Sequence, residues 1–335
     1  MTAIPLSVLD QSPIRKGGSA ADAIHETLEL ARRCEQWAYN RYWLAEHHAT
    51  GGLAGCSPEV LLARLGAETK TIRIGSGGIM LPHYSPYKVA ENFKLLSTMY
   101  PDRVDLGVGR APGSNPYINS VLAYGSQIGS AYFPQMVGDL EALLRDDQPV
   151  TPGMEKARAY PLVDIPPVLW MLGSSDSSAQ LAGQMGLPYC FAYFINSNIR
   201  PDIFDFYRDN FTASKVSAKP YSCLCPFVIC AQTDAEAERL YKSRELWYLG
   251  LLTKAEPGSI PSVEEAENYH YSEHERAALA ANPRHFIRGT PQRVKEELLA
   301  LVEKYGLDEL MIITITYDFE ARCRSYELLA EAWAA

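Results

Sequence analysis

A short apolar run, a turn bearing Gly or Ser, and an amphipathic helix follow one another repeatedly along these 335 residues. That rhythm narrows the fold sharply. Strands joined through helices pair in parallel, and a parallel sheet has to be covered by those helices. The apolar runs fall at residues 4–9, 42–45, 71–76, 103–109, 168–172, 187–194, 221–230 and 309–316. The helices between them carry their own start signals. Ser19 stands three residues before Asp22, the spacing of a capping box, and Ile24, Leu28, Ala31 and Ala38 follow at helical period. Ser57-Pro58, Ser85-Pro86 and Thr290-Pro291 each set a capping residue before a proline, and Asp318 can cap a last helix. Eight strands alternating with helices predict an α/β chain folded as a (β/α)8 TIM barrel, one domain spanning 1–335.

Composition removes several classes of partner. The chain has 40 acidic against 31 basic residues, a net charge of −9, and no long basic run. Nucleic acid, whose binding draws on clustered Lys and Arg, is therefore not expected as a partner. The opening MTAIPLSVLD has no cationic segment followed by a long apolar one, and no run approaches the ~20 apolar residues that span a bilayer. The seven cysteines are odd in number and scattered, which reads as reduced thiols in a cytoplasmic protein. Cys223, Cys225 and Cys230 match no zinc spacing and read as core residues of a buried strand. Two segments exceed ordinary loop length: 111–127, rich in Gly, Asn, Ser and Tyr, and the acidic 252–289. Such insertions serve either as covers over a barrel's active face or as surface decoration, and 252–289, a long insertion after strand 7, is the candidate mobile lid.

Chemistry in a parallel barrel collects at the C-terminal ends of the strands, so the residues just past each apolar run are the candidates. The second run continues as YWLAEHHATGG, with His47 and His48 side by side at the rim. Neighbouring strand residues face opposite sides, so the pair should not converge on one ion, and no metal is expected. Two readings stay open: a structural pair, or one histidine facing the cavity as hydrogen-bond donor or acid–base. The third run leads into Ser76-Gly77-Gly78, where paired glycines bring backbone close to a ligand or make a tight turn. The fourth ends GVGRAPG and sets Arg110 at the same rim, to clamp a phosphate or to pair with a carboxylate. Gly107, Gly109 and Gly113 lack the spacing of a dinucleotide fingerprint. The fifth gives LGSSDSSAQLAG, in which Gly173 permits a sharp turn and Ser174, Ser175, Ser177 and Ser178 surround a helix start. Free N–H groups there favour an anion. Tyr193 and Phe194 after the sixth run, with the segment 111–127, are candidates to wall an apolar or aromatic substrate, or else core residues.

Together these pieces resemble the bacterial luciferase-like flavin monooxygenases, the alkanal-monooxygenase-like barrels. The resemblance rests on WLAEHH, IGSGGIMLPHYSP, AENFKLLSTMYPDRVDLGVGRAPGS, LGSSDSSAQLAGQMGLP and RSYELLAE, and spans nearly the whole chain. It implies FMN as the flavin, its reduced form a co-substrate supplied by a separate flavin reductase. It implies O2 held as a peroxide at flavin carbon 4a and used to oxygenate a small organic substrate, apolar or aromatic. It also implies a homodimer. Matched position by position, His47 is the catalytic histidine beside the flavin ring, and Gly77-Gly78 a non-prolyl cis peptide beneath it. Arg110, Ser174, Ser175 and Ser178 match phosphate contacts. Ser174 stands where bacterial luciferase has a glutamate and Gly109 where it has a cysteine, so the resemblance does not extend to light emission or the luciferase substrate. Two other readings use the same residues: a deazaflavin-dependent dehydrogenase of the superfamily, and a barrel that binds flavin without turnover.

Overall fold

The computed structural model describes residues 4–111, 113, 115–125, 129–253 and 258–335; parts of both long segments lie outside these residues. The chain closes eight parallel strands into a ring: β1 (Leu6–Asp10), β2 (Arg41–Leu44), β3 (Arg73–Met80), β4 (Val104–Gly109), β5 (Val168–Gly173), β6 (Tyr189–Phe191), β7 (Ser222–Leu224) and, after two strands outside it, β10 (Glu309–Ile312). β1 pairs with both β2 and β10, which completes the barrel. The two outside strands, β8 (Phe227–Cys230) and β9 (Phe286–Gly289), pair only with each other along their length. The run 221–230 is thus two strands, not one. Pro226 has no N–H to continue the ladder, so the chain leaves the barrel wall there.

Side chains alternate along each barrel strand, as the pleat demands. Tyr42, Leu44, Leu169 and Met171 pack outward against the helices, while Leu9, Trp43, Trp170, Cys190, Cys223 and Met311 fill the interior. The N-terminal end is closed by ions. Arg41 reaches Asp105 at 2.7 Å and Glu309 at 2.7 Å, Arg73 binds the other oxygen of Asp105 at 2.7 Å, and Ser7, Tyr221 and Trp43 donate to the same two carboxylates. Chemistry is therefore left to the opposite end.

Ser19 and Asp22 form the expected capping box on helix Ala20–Gln36, which ends before Ala38, and Asp318 caps helix Phe319–Ala334 through the Ala321 N–H at 2.8 Å. Ser57, Ser85 and Thr290 precede helices with proline in the first turn, but their hydroxyls make no cap bond. The segment 111–127 contains the helix Pro116–Ala123, and 252–289 contains helices Val263–Glu267 and Glu273–Ala281 besides β9. The insertion is tied to the loop after β1, since Lys16 N–H donates to Ile260 O at 2.7 Å and Ile260 N–H to Ile14 O at 2.8 Å. No helix among the described residues is long and apolar enough to cross a membrane.

Candidate active site

The C-terminal ends of β3, β4 and β5 open into one cavity of about 900 Å³, within the size range of small-molecule and cofactor sites. Its floor is the upper layer of the barrel interior: Leu9, Trp43, Cys190, Cys225 and Met311. Six of the seven residues matched to the family's flavin site line it: Gly77, Gly78, Arg110, Ser174, Ser175 and Ser178.

The glycines line it because nothing larger fits. The Gly77–Gly78 peptide is cis. A Cβ on Gly77 would lie 2.5 Å from Leu9 Cδ1, and one on Gly78 would lie 2.6 Å from Gly107 O and from Leu172 Cδ1. The pairing with β4 shifts register across this pair, so β3 continues through the glycines to Met80 instead of stopping at Ser76. The result is a flat backbone wall.

Across the cavity, Arg110 and the serines form a polar lip. Arg110 Nη2 donates to Ser177 Oγ at 3.1 Å, which brings the ends of β4 and β5 together. Ser175 is the N-cap of helix Asp176–Gln184. Its N–H donates to Ser178 Oγ at 3.3 Å, its Oγ lies 3.0 Å from Ser177 Oγ, and Ser178 Oγ lies 3.0 Å from the Tyr189 hydroxyl. Gly173 makes room for this, since a Cβ there would sit 2.2 Å from Ser178 Oγ. Hydroxyls, a helix N-terminus and one guanidinium on an open lip form an arrangement suited to a phosphate.

His47 is placed differently. It sits just past β2 but does not line the cavity. Its N–H donates to Gly55 O at 2.8 Å, and its Nδ1 is buried with no hydrogen-bond partner. Burial, with a smaller contribution from His48, lowers its pKa to about 4, so the ring is neutral at physiological pH. His48 turns to Glu46, with Nε2 2.6 Å from Oε1. No group of three His, Cys, Asp or Glu placed to hold a metal occurs among the described residues. All seven cysteines are free, and Cys190, Cys223, Cys225 and Cys230 are buried as core residues.

The model for luciferase-like monooxygenases matches residues 4–309. The chain belongs to this family. The Bacillus subtilis protein YceB is 42% identical over 328 residues, covering 98% of this chain and 99% of that protein. The N-acetyl-S-alkylcysteine monooxygenase of Bacillus subtilis is 38% identical over 330 residues, covering 98% of both. The crystal structure of apo-MsnO8 superposes with a TM-score of 0.90 at 35% identity, covering 99% of this chain and 98% of that one. More distant folds include a Baeyer–Villiger monooxygenase constituent in complex with FMN, at 20% identity and TM-score 0.71 over 98% and 97% of the two chains. They also include an F420-dependent secondary alcohol dehydrogenase, at 16% and 0.68 over 99% of both.

As a luciferase-like monooxygenase, this chain also draws on residues outside the seven matched to the flavin site, among them Ser177 of the serine cluster and part of the 111–127 segment expected as a candidate wall. Ser177 is the serine that holds Arg110, although all the serines of the cluster look alike in sequence. Pro82 and His83, beyond the glycines, line the cavity, as do Asn119, Ser120 and Ala123 from helix Pro116–Ala123. No described residue of 252–289 lines it. Of the two aromatic candidates after β6, Phe194 faces the cavity and Tyr193 is buried in the outer core.

Proposed function

We propose that this barrel is a flavin-dependent monooxygenase that takes reduced FMN and O2 and oxygenates a small organic substrate, apolar or aromatic. One observation carries the reading: a single cavity combines an anion-binding lip of Arg110 and serines, a flat wall at Gly77–Gly78, and an apolar floor. The residues fit the group. A phosphoryl tail matches the lip, and a planar ring needs the close backbone approach that any side chain at Gly77 or Gly78 would block. Family membership and the 38% identity to a monooxygenase acting on N-acetyl-S-alkylcysteines support oxygenation of a small organic molecule.

Bound reduced FMN would supply the activation of O2, which no side chain can provide. The protein's part is to bind, orient and dry the site. Arg110, Ser174, Ser175 and Ser178 hold the phosphoryl end, with Ser177 fixing Arg110. Gly77 and Gly78 carry the ring, and Trp43, Leu172, Phe194 and Ile195 keep water from the reacting face. His47, which the family resemblance implies as the catalytic imidazole, is neutral and its Nδ1 has no partner among the described residues, but it stands outside the cavity lining, so its part in this reading is what His47→Ala tests. A separate reductase delivers the reduced flavin, consistent with the absence of a dinucleotide fingerprint in the sequence. A homodimer, which the family resemblance implies, is part of this reading.

The test is to mix the protein with reduced FMN without oxygen, admit O2, and follow spectra and products with and without candidate substrates. Oxygenated product is expected, and His47→Ala should divert turnover to hydrogen peroxide while FMN still binds. Absence of any flavin uptake would end this reading. The likeness to an F420-dependent dehydrogenase supports one rival, hydride transfer to a deazaflavin, which would proceed under argon.

A further inference from the structure

The segment after β3 carries a histidine that the reading above leaves unused. His83 ends the short 3-10 turn Leu81–His83 and forms part of the cavity wall. Its ring meets His48 edge-on, with centroids 6.2 Å apart at 88°, and Tyr84 edge-on at 6.3 Å and 87°. Behind these rings lies Glu46, only 1% exposed. Glu46 Oε1 accepts the Tyr84 hydroxyl at 2.6 Å and lies 2.6 Å from His48 Nε2, and Oε2 accepts the Met80 N–H at 2.9 Å.

The donors in this group determine its protonation. Burial, and then the bond to Glu46, push the Tyr84 phenol far up, so Tyr84 is a donor at any working pH. Tyr84 and Met80 thus both donate to Glu46, and the oxygen that accepts Tyr84 also lies against His48 Nε2. Other ionisable groups face this cluster too: His47, Cys56, and Glu59 of helix Pro58–Glu68, whose carboxyl is raised by burial and by nearby Glu46.

We propose that His83 takes up a proton when an anionic ligand fills the cavity, and that the His48–Glu46 pair sets how readily it does so. The ligand's identity as FMN rests on the reading above; the coupling of the two rings does not. The step is transfer of H⁺ alone: an N–H bond forms on His83 as an O–H bond of water breaks, the hydroxide is taken up by buffer, and no electrons move. Coupling is electrostatic, since a charge on one ring disfavours a charge on the other. His83 touches the ligand; Glu46, His48 and Tyr84 are positioning residues.

Two measurements decide it. In calorimetry, FMN is titrated into the full chain at neutral pH in buffers of different ionisation enthalpy, which counts protons exchanged per FMN bound. Wild type is expected to take up a fraction of a proton, while His83→Asn should bind FMN about threefold more weakly and take up none. Arg110→Ala should bind more weakly with the uptake per bound FMN retained, and Glu46→Gln should change the uptake. Equal uptake in wild type and His83→Asn, or none in wild type, overturns the proposal. Histidine-ring NMR of the ligand-free protein supplies the second readout. His48→Gln is expected to move the His83 titration midpoint by about half a pH unit or more, with exposed His25 as the reference. An unmoved midpoint sinks the coupling. A moved midpoint with no FMN binding would sustain the coupling and sink the flavin reading instead.

Discussion

At the N-terminal end of the barrel Arg41 has a carboxylate on each side, Asp105 and Glu309 both at 2.7 Å; at the other end His47 has a buried ring nitrogen that meets nothing. Both ends are built from interior-facing residues of the same parallel strands, so strand geometry does not separate them. Completeness of pairing does. This N-terminal floor, distinct from the apolar floor of the cavity, is saturated: Arg73 takes the second oxygen of Asp105, and Trp43, Tyr221 and Ser7 donate to oxygens that Arg41 also holds. Such a network holds the strands in register but has nothing left to offer a ligand. The rim keeps polar groups in reserve, with Arg110 exposed and donating to Ser177, and the hydroxyls of Ser174, Ser175 and Ser178 on the cavity surface. The lesson is that buried charge stabilises where its partners are built in, and serves recognition where the partner arrives from outside.

That contrast breaks if floor and rim respond alike to mutation. Arg41→Met strands two buried carboxylates and should cost about 3–5 kcal/mol, read by urea unfolding, because an uncompensated buried charge is the expensive outcome. His47 tests the rim by pH. Its folded pKa of about 4 lies below the ordinary 6.5, so the unfolded chain binds the proton more readily. The stability this confers is complete above pH 6.5 and fades as pH falls toward 4, by at most about 3 kcal/mol. Urea unfolding at several pH values should show His47→Gln losing less stability than wild type across that interval. Arg110→Ala should leave the urea midpoint almost unmoved, yet weaken FMN binding by about 10- to 100-fold, as expected for loss of a charge-assisted phosphate contact of about 1.5–3 kcal/mol. Fluorescence quenching of FMN measures this.

The smallest effect is expected at Arg244, another buried cation that sharpens the rule. It is 4% exposed, and its Nε and Nη1 have no hydrogen-bond partner. Instead its guanidinium lies 4.7 Å from the Trp247 ring centroid, 5.1 Å from Phe227, 5.6 Å from Phe286 and 5.7 Å from Tyr248. Burial, then repulsion from Arg284, lower its pKa to about 9. Arg244→Met strands no carboxylate, so unfolding should move by about 1 kcal/mol or less in either direction as lost cation–π contacts offset relieved desolvation. A cost as large as that of Arg41→Met would show that burial alone, and not the orphaned acids, sets the price.

The site could be read from the sequence wherever one strand end carries it. Gly77-Gly78, Arg110 and the serine cluster each follow an apolar run directly, and the rule that barrel chemistry sits at C-terminal ends was enough to gather them. His83 was passed over because it lies past the glycines, in a Leu-Pro-His-Tyr stretch with no signature of its own. Ser177 was indistinguishable from its neighbours until Arg110 chose it. The helix Pro116–Ala123 was read as loop because none of its residues is buried, so no apolar stripe marks it.

Period, caps and punctuation belong to the chain alone: alternation of strand and helix and the Ser19–Asp22 box act within a few residues, and these set a closed parallel barrel with chemistry at one end. Which imidazole reaches the cavity, which serine holds the arginine, and where the seventh run leaves the wall at Pro226 were decided in three dimensions. Those outcomes depend on groups from separate strands meeting across the barrel, and spacing along the chain carries no record of such meetings.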